Sequence, residues 1–214
     1  MACTYFYNGK QYTEYQLLKL IREGKVYKVA NPEVARKWLR TKLGMSDNQI
    51  EIVNGLISDG VVGKLVADGK ILLSDVMPEG TERHEAFHRV FRLFLTDAER
   101  RDILDEFKQR DNWESSLSKV KELYPEKDLD TQIEEYLADE FMVYSLSEGN
   151  YTVPTTKTKG FFSWLYNFFK SLFKLNIKDL YDNIERGKYA TAKQTVYTAS
   201  PADSRIKFPD GSLS

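Results

Sequence analysis

Residues 84–88 read His84-Glu85-Ala86-Phe87-His88, and they use both histidines of a 214-residue chain. On an α-helix, positions i and i+4 stack on one face. His84 and His88 can therefore hold one zinc ion between them, with Glu85 beside it as a base for a metal-bound water. Accident is a weak rival: at ordinary residue frequencies the pattern arises in a chain of this length on the order of once in a hundred. A plainer reading competes with it. Glu85 and Arg89 are also four apart and could form a surface ion pair worth roughly 0.2–0.5 kcal/mol. The histidines could then be half-buried and hydrogen-bonded without metal.

The flanking residues favour the metal. Pro78-Glu79-Gly80 is a turn signal, so a helix is expected from about Thr81 to about Leu95. His84, His88, Phe91 and Leu95 share one stripe of it, and the pattern places Arg89 and Arg92 on the outer face. Inward-facing imidazoles need partners, because a buried polar group left unsatisfied is costly. One shared ion would satisfy both.

Zinc in an open site takes three protein ligands, and no third histidine is available, so a carboxylate must complete the set. The stretch from Asp130 to Tyr144 predicts a helix running to about Leu146. Along it Glu135, Asp139, Met142 and Leu146 share a stripe, so these two carboxylates continue into apolar residues. We assign Glu135 as the ligand and Asp139, one turn on, as a group that could orient a zinc-bound imidazole. Glu140 falls on the stripe of Tyr136 and Val143, and Glu134 lies nearer Ala138 and Phe141. Acidic pairs on helices are usually solvated; the histidine motif is what raises Glu135 above that reading.

Upstream, residues 61–66 and 70–74 flank Asp68-Gly69, which predicts a β-hairpin. Its second arm, with Ile71, Leu72 and Leu73, is expected to form a sheet edge along which an extended substrate could align by strand addition.

Together, His84-Glu85-x-x-His88 and Glu135-x-x-Ala138-Asp139-x-Phe141 resemble the gluzincin branch of the zincin metallopeptidases, across residues 69–145. The resemblance implies an α+β fold: a mainly helical zincin-like domain with an N-terminal mixed part and a small antiparallel sheet. It also implies one Zn2+ on His84, His88 and Glu135, with Glu85 as catalytic base for hydrolysis of a polypeptide substrate. Glu82 and Arg89 place charges where that pattern usually has none. The run Gly80-Thr81-x-x-His84-Glu85-Ala86-Phe87-His88 is also similar to peptidase domains of very large phage-encoded proteins, as are residues 161–174 and Gly187-Lys188-Tyr189. That similarity implies a host-cell cytoplasmic or virion setting, with other virion proteins as partners. Two other readings stay open. One is a non-catalytic phage virion or assembly protein with a structural zinc site. The other is a membrane-binding, self-associating or partner-binding module using the aromatic stretch from Phe161 to Leu175.

Composition narrows the classes. With 31 basic and 32 acidic residues the net charge is −1, so no basic excess points to nucleic acid. Cys3 is the one cysteine, which excludes an intramolecular disulfide. The first ten residues are polar and aromatic, unlike a signal peptide, and no apolar run has transmembrane length.

Elsewhere, Asn8-Gly9 predicts a hairpin, and Gly24 stops a helix that begins near Glu14. A short strand is expected at 26–29. Asn31-Pro32 opens a helix that Gly44 ends, and residues 49–57 read as either strand or helix, with their alternation favouring a strand. Thr96-Asp97-Ala98-Glu99 is a capping box for a helix to about Arg110. Further helices are expected at 113–123 and 176–184. The expected organisation is a mixed N-terminal part over residues 1–60, the metallopeptidase domain over 61–189, and a polar tail over 190–214.

Overall fold

The computed structural model describes residues 4–7, 10–25, 28–58, 60–147, 151 and 177–192. The aromatic stretch 161–175 and residues 193–214 of the expected tail lie outside them.

The described residues form an α+β fold dominated by helices. Strands β1 (Thr4–Tyr7) and β2 (Lys10–Thr13) pair as an antiparallel hairpin. It leads into α1 (Glu14–Arg22), where Thr13 and Gln16 cap each other reciprocally. Helix α2 (Pro32–Leu43) starts on the Asn31 side chain, which accepts from the amides of Glu33 and Val34.

Strands β3 (Ile50–Val53), β4 (Gly63–Leu65) and β5 (Ile71–Ser74) make a sheet of order β3-β5-β4. The expected β4–β5 hairpin is present and antiparallel. Its turn bonds Gly69 N to Val66 O at 2.8 Å, and Gly69 takes φ 82° at the end of the turn. Two expectations are corrected. The sheet is mixed, because β3 runs parallel to β5 with Ile50 opposite Ile71. Strand β5, carrying Ile71, Leu72 and Leu73, is central rather than an edge. Its almost continuous apolar run suits a strand with neighbours on both sides, and Ile71 and Leu73 are fully buried. Among the described residues β3 and β4 are the outer strands of this sheet. Because β3 lies before residue 60, the sheet also spans the boundary expected there.

The remaining helices are α3 (Thr81–Leu93), α4 (Asp97–Lys108), α5 (Trp113–Ser116), α6 (Ser118–Leu123), α7 (Leu129–Leu146) and α8 (Ile177–Glu185). The single helix expected over 113–123 is interrupted. The hydroxyls of Ser115 and Ser116 both donate to Asn112 O, in competition with the regular ladder, and Leu117 turns into the core.

Helix α3 is the centre of the molecule. It packs against α2, α7, β4 and β5, and ten of its 13 residues are buried. The reading of α3 as amphipathic, with Arg89 outward, is therefore corrected: Arg89 is 2% exposed. A helix enclosed on several sides has no solvent face for charged residues, so they find internal partners instead. Phe87 anchors the core with ring centroids 5.6 Å from Phe91, 6.2 Å from Phe141 and 6.0 Å from Tyr181. Among the described residues no helix is long and apolar enough to cross a membrane.

Candidate metal centre

Helices α3 and α7 lie side by side and bring His84, His88 and Glu135 together. One ligand atom from each lies within 4.8 Å of the others. His84 Nε2 is 3.4 Å and His88 Nε2 is 3.5 Å from Glu135 Oε2, and the two Nε2 atoms are 2.9 Å apart. Tetrahedral zinc with bonds of about 2.0–2.1 Å separates neighbouring ligand atoms by about 3.3–3.4 Å. The two nitrogen–oxygen spacings meet that geometry, and the nitrogen–nitrogen spacing is a few tenths of an ångström tighter. Glu135 Oε2 is buried and has both imidazole Nε2 atoms within 3.5 Å. Two imidazole nitrogens and a carboxylate oxygen form a donor set suited to a divalent cation. These three residues could hold a metal ion.

Behind each imidazole stands a carboxylate. His84 Nδ1 lies 2.9 Å from Asp139 Oδ1, and His88 Nδ1 lies 2.6 Å from Glu134 Oε1. A carboxylate accepts, so each Nδ1 carries a hydrogen and each Nε2 faces the shared point, where it offers a lone pair to a metal once its own proton has left. Arg92 Nε donates to the same Glu134 oxygen at 2.6 Å. Asp139 thus stands where its helical stripe places it, one turn beyond Glu135. Glu134 was not legible as a partner. Two adjacent helical residues point about 100° apart, and the sequence does not show that both directions meet α3. The spacing of His88 and Arg92, four apart on α3, was the signal that one carboxylate could serve both. Arg92, expected outside, is turned inward by that carboxylate.

Electrostatics favours a cation here. Burial depresses the His84 pKa, but hydrogen bonds to Asp139 and Glu135 outweigh it and raise the value to about 10. His88 is likewise raised, against its burial, by the Glu135 charge and by Glu134. Burial pushes Glu135 up, yet the charges and hydrogen bonds of His88 and His84 hold it well below the usual carboxylate range. Glu134 is lowered against its own burial by Arg92 and His88. Without metal, protons supply the positive charge that the carboxylates demand.

Glu85 is fully buried on the adjoining stripe of α3. That stripe, Thr81-Glu85-Arg89, faces the β4–β5 hairpin: Thr81 and Glu85 lie against Gly63, and Arg89 donates to Gly69 O. The helix therefore presents its histidines to α7 and Glu85 to β4. Helix α3 packs more extensively on β4 than on β5, which carries Ile71, Leu72 and Leu73, and the strand against Glu85 is β4. Compared with known proteins, the chain matches no family model, no curated protein and no solved structure.

Proposed function

We propose that this chain is a zinc-dependent endopeptidase in which His84, His88 and Glu135 hold the ion and Glu85 is the base. The observation that carries the reading is the convergence of both Nε2 atoms and Glu135 Oε2, with each imidazole backed by its own carboxylate. Bound zinc supplies Lewis acidity toward a carbonyl oxygen and lowers the pKa of water. Glu85 takes a proton on its carboxylate and returns it to the leaving amine nitrogen. Asp139 and Glu134 hold the imidazoles in one tautomer throughout. An extended polypeptide lying along β4 would run past Glu85, so β4 takes the aligning role expected of Ile71, Leu72 and Leu73.

The test is metal analysis of the purified protein together with hydrolysis of an unstructured polypeptide. About one zinc per chain is expected. Glu85→Gln should keep the zinc and lose activity by about 10²- to 10⁴-fold, because the amide keeps the shape but cannot accept the proton. Equal activity in Glu85→Gln, or a protein that takes up no zinc, would sink the proposal. The second reading is a structural zinc site in a non-catalytic protein. It is favoured by the burial of all four residues, each 2% exposed or less. It predicts stoichiometric zinc and no hydrolysis.

A further inference from the structure

We infer that Gly63 is a positioning residue for Glu85: its missing side chain leaves the space in which the Glu85 carboxylate stands. The inference rests on the reading of Glu85 as the base. The β4–β5 hairpin meets α3 at two glycines. At the turn, a Cβ on Gly69 would fall 2.6 Å from Arg89 Nη1 and 2.8 Å from Leu93 Cδ1. On the strand, a Cβ on Gly63 would fall 2.5 Å from Thr81 Cγ2, 2.9 Å from Glu85 Oε1 and 3.2 Å from Glu85 Cγ.

The two glycines are there for different reasons. Gly69 has φ 82°, a conformation that itself favours glycine. Gly63 is not among the glycines of positive φ, so its backbone suits any residue. Close approach alone selects glycine at 63. Of the two groups a methyl would push, Thr81 is the fixed one. It is fully buried, and its hydroxyl donates to Pro78 O at 2.9 Å. The Glu85 carboxylate ends a flexible side chain, so it is the group that would swing away. His84, His88 and Glu135 meet where α3 faces α7 and are not among the nearest neighbours of Gly63, so they are expected to keep their places. A displacement of about 1 Å at a reacting group can cost about 100-fold in rate.

The double variant Gly63→Ala/Thr81→Ser tests this. Serine keeps the hydroxyl for Pro78 and removes the methyl, so Glu85 becomes the nearest group to the new Cβ. It is compared with wild type, Thr81→Ser and Glu85→Gln by three measurements. These are zinc content with thermal melting, kcat and KM on an unstructured polypeptide, and the carbon-13 resonance of the Glu85 carboxyl. The resonance is assigned by its loss in Glu85→Gln. Full zinc, an unchanged melting temperature, a shifted resonance and kcat lowered on the order of 100-fold at similar KM are expected. An unmoved resonance overturns the inference, as does a moved resonance with unchanged kcat. A double variant that unfolds or loses zinc also overturns it, since Gly63 would then be a packing residue. If wild type hydrolyses nothing, the peptidase reading falls, and the resonance alone decides whether Gly63 sets the position of Glu85.

Discussion

Asp139 and Glu134 hold the two imidazoles in the same way but stand in different surroundings. The Asp139 side chain is 57% exposed, whereas that of Glu134 is 10% exposed and is fixed by Arg92. A wet carboxylate can be replaced by water as the partner of Nδ1; an enclosed one cannot. Asp139→Asn should therefore weaken zinc by about 10-fold and Glu134→Gln by about 100-fold, the two ends of the range for residues that orient metal ligands. Competition against a chromogenic chelator measures both. The reverse order would mean that Arg92 holds no useful geometry in Glu134. Glu135 is a different case, because it offers a ligand atom itself. Glu135→Ala should remove the metal, since two protein ligands hold zinc poorly. If Glu135→Ala binds as wild type while Glu134→Ala does not, the ligand is the wrong carboxylate of the pair.

At the scale of elements, the helix termini were the legible part. Asn31 and Thr96 each accept amide hydrogens at the start of their helices, as side chains of that type do. What the sequence hid was the environment of α3 and α7. Periodicity reports one apolar face, and α3 is buried on nearly all of its faces, so Arg89 and Arg92 were placed outside although both have internal acceptors. The parallel pairing of β3 with β5 was hidden for a related reason: no local turn signals a partner 21 residues away.

Glu140 was read as lying apart from the inward stripe, yet it is 5% exposed. Arg110 grips it with two bonds of 2.9 and 3.0 Å, and the hydroxyls of Tyr181 and Tyr151 donate to it at 2.8 and 3.1 Å. This network ties α7 to α8 and to the residues that follow α4. Glu140→Ala would leave the Arg110 guanidinium buried without its partner, and should cost about 3–5 kcal/mol. Chemical denaturation should show that loss while zinc affinity stays at the wild-type value, because Glu140 is not part of the metal cluster. Loss of zinc in this variant would show that the network supports the site rather than the fold alone.

For the molecule as a whole, the candidate metal centre joins α3 to α7, two helices that both contribute to the core. Zinc bound to the folded state alone stabilises it by about 2.7 kcal/mol when the free ion is at 100 times its dissociation constant. For a domain of this size that corresponds to roughly 5–10 °C in melting temperature. Chelation should lower the melting temperature by about that amount, and the effect should depend on pH with a definite sign. In the metal-free protein His84 has its pKa raised from 6.5 to about 10. The stability from protonated His84 is therefore fully present below 6.5 and is lost as pH rises through about 10. Zinc requires unprotonated Nε2 atoms, so protons compete with it over the same range and its binding tightens as pH rises. One trend weakens the metal-free protein while the other strengthens the zinc-loaded one. The difference in melting temperature between zinc-loaded and chelator-treated protein should widen steadily from pH 6.5 toward about 10. A difference that stays constant or narrows across that range would show that the histidines are not the groups that exchange protons for metal.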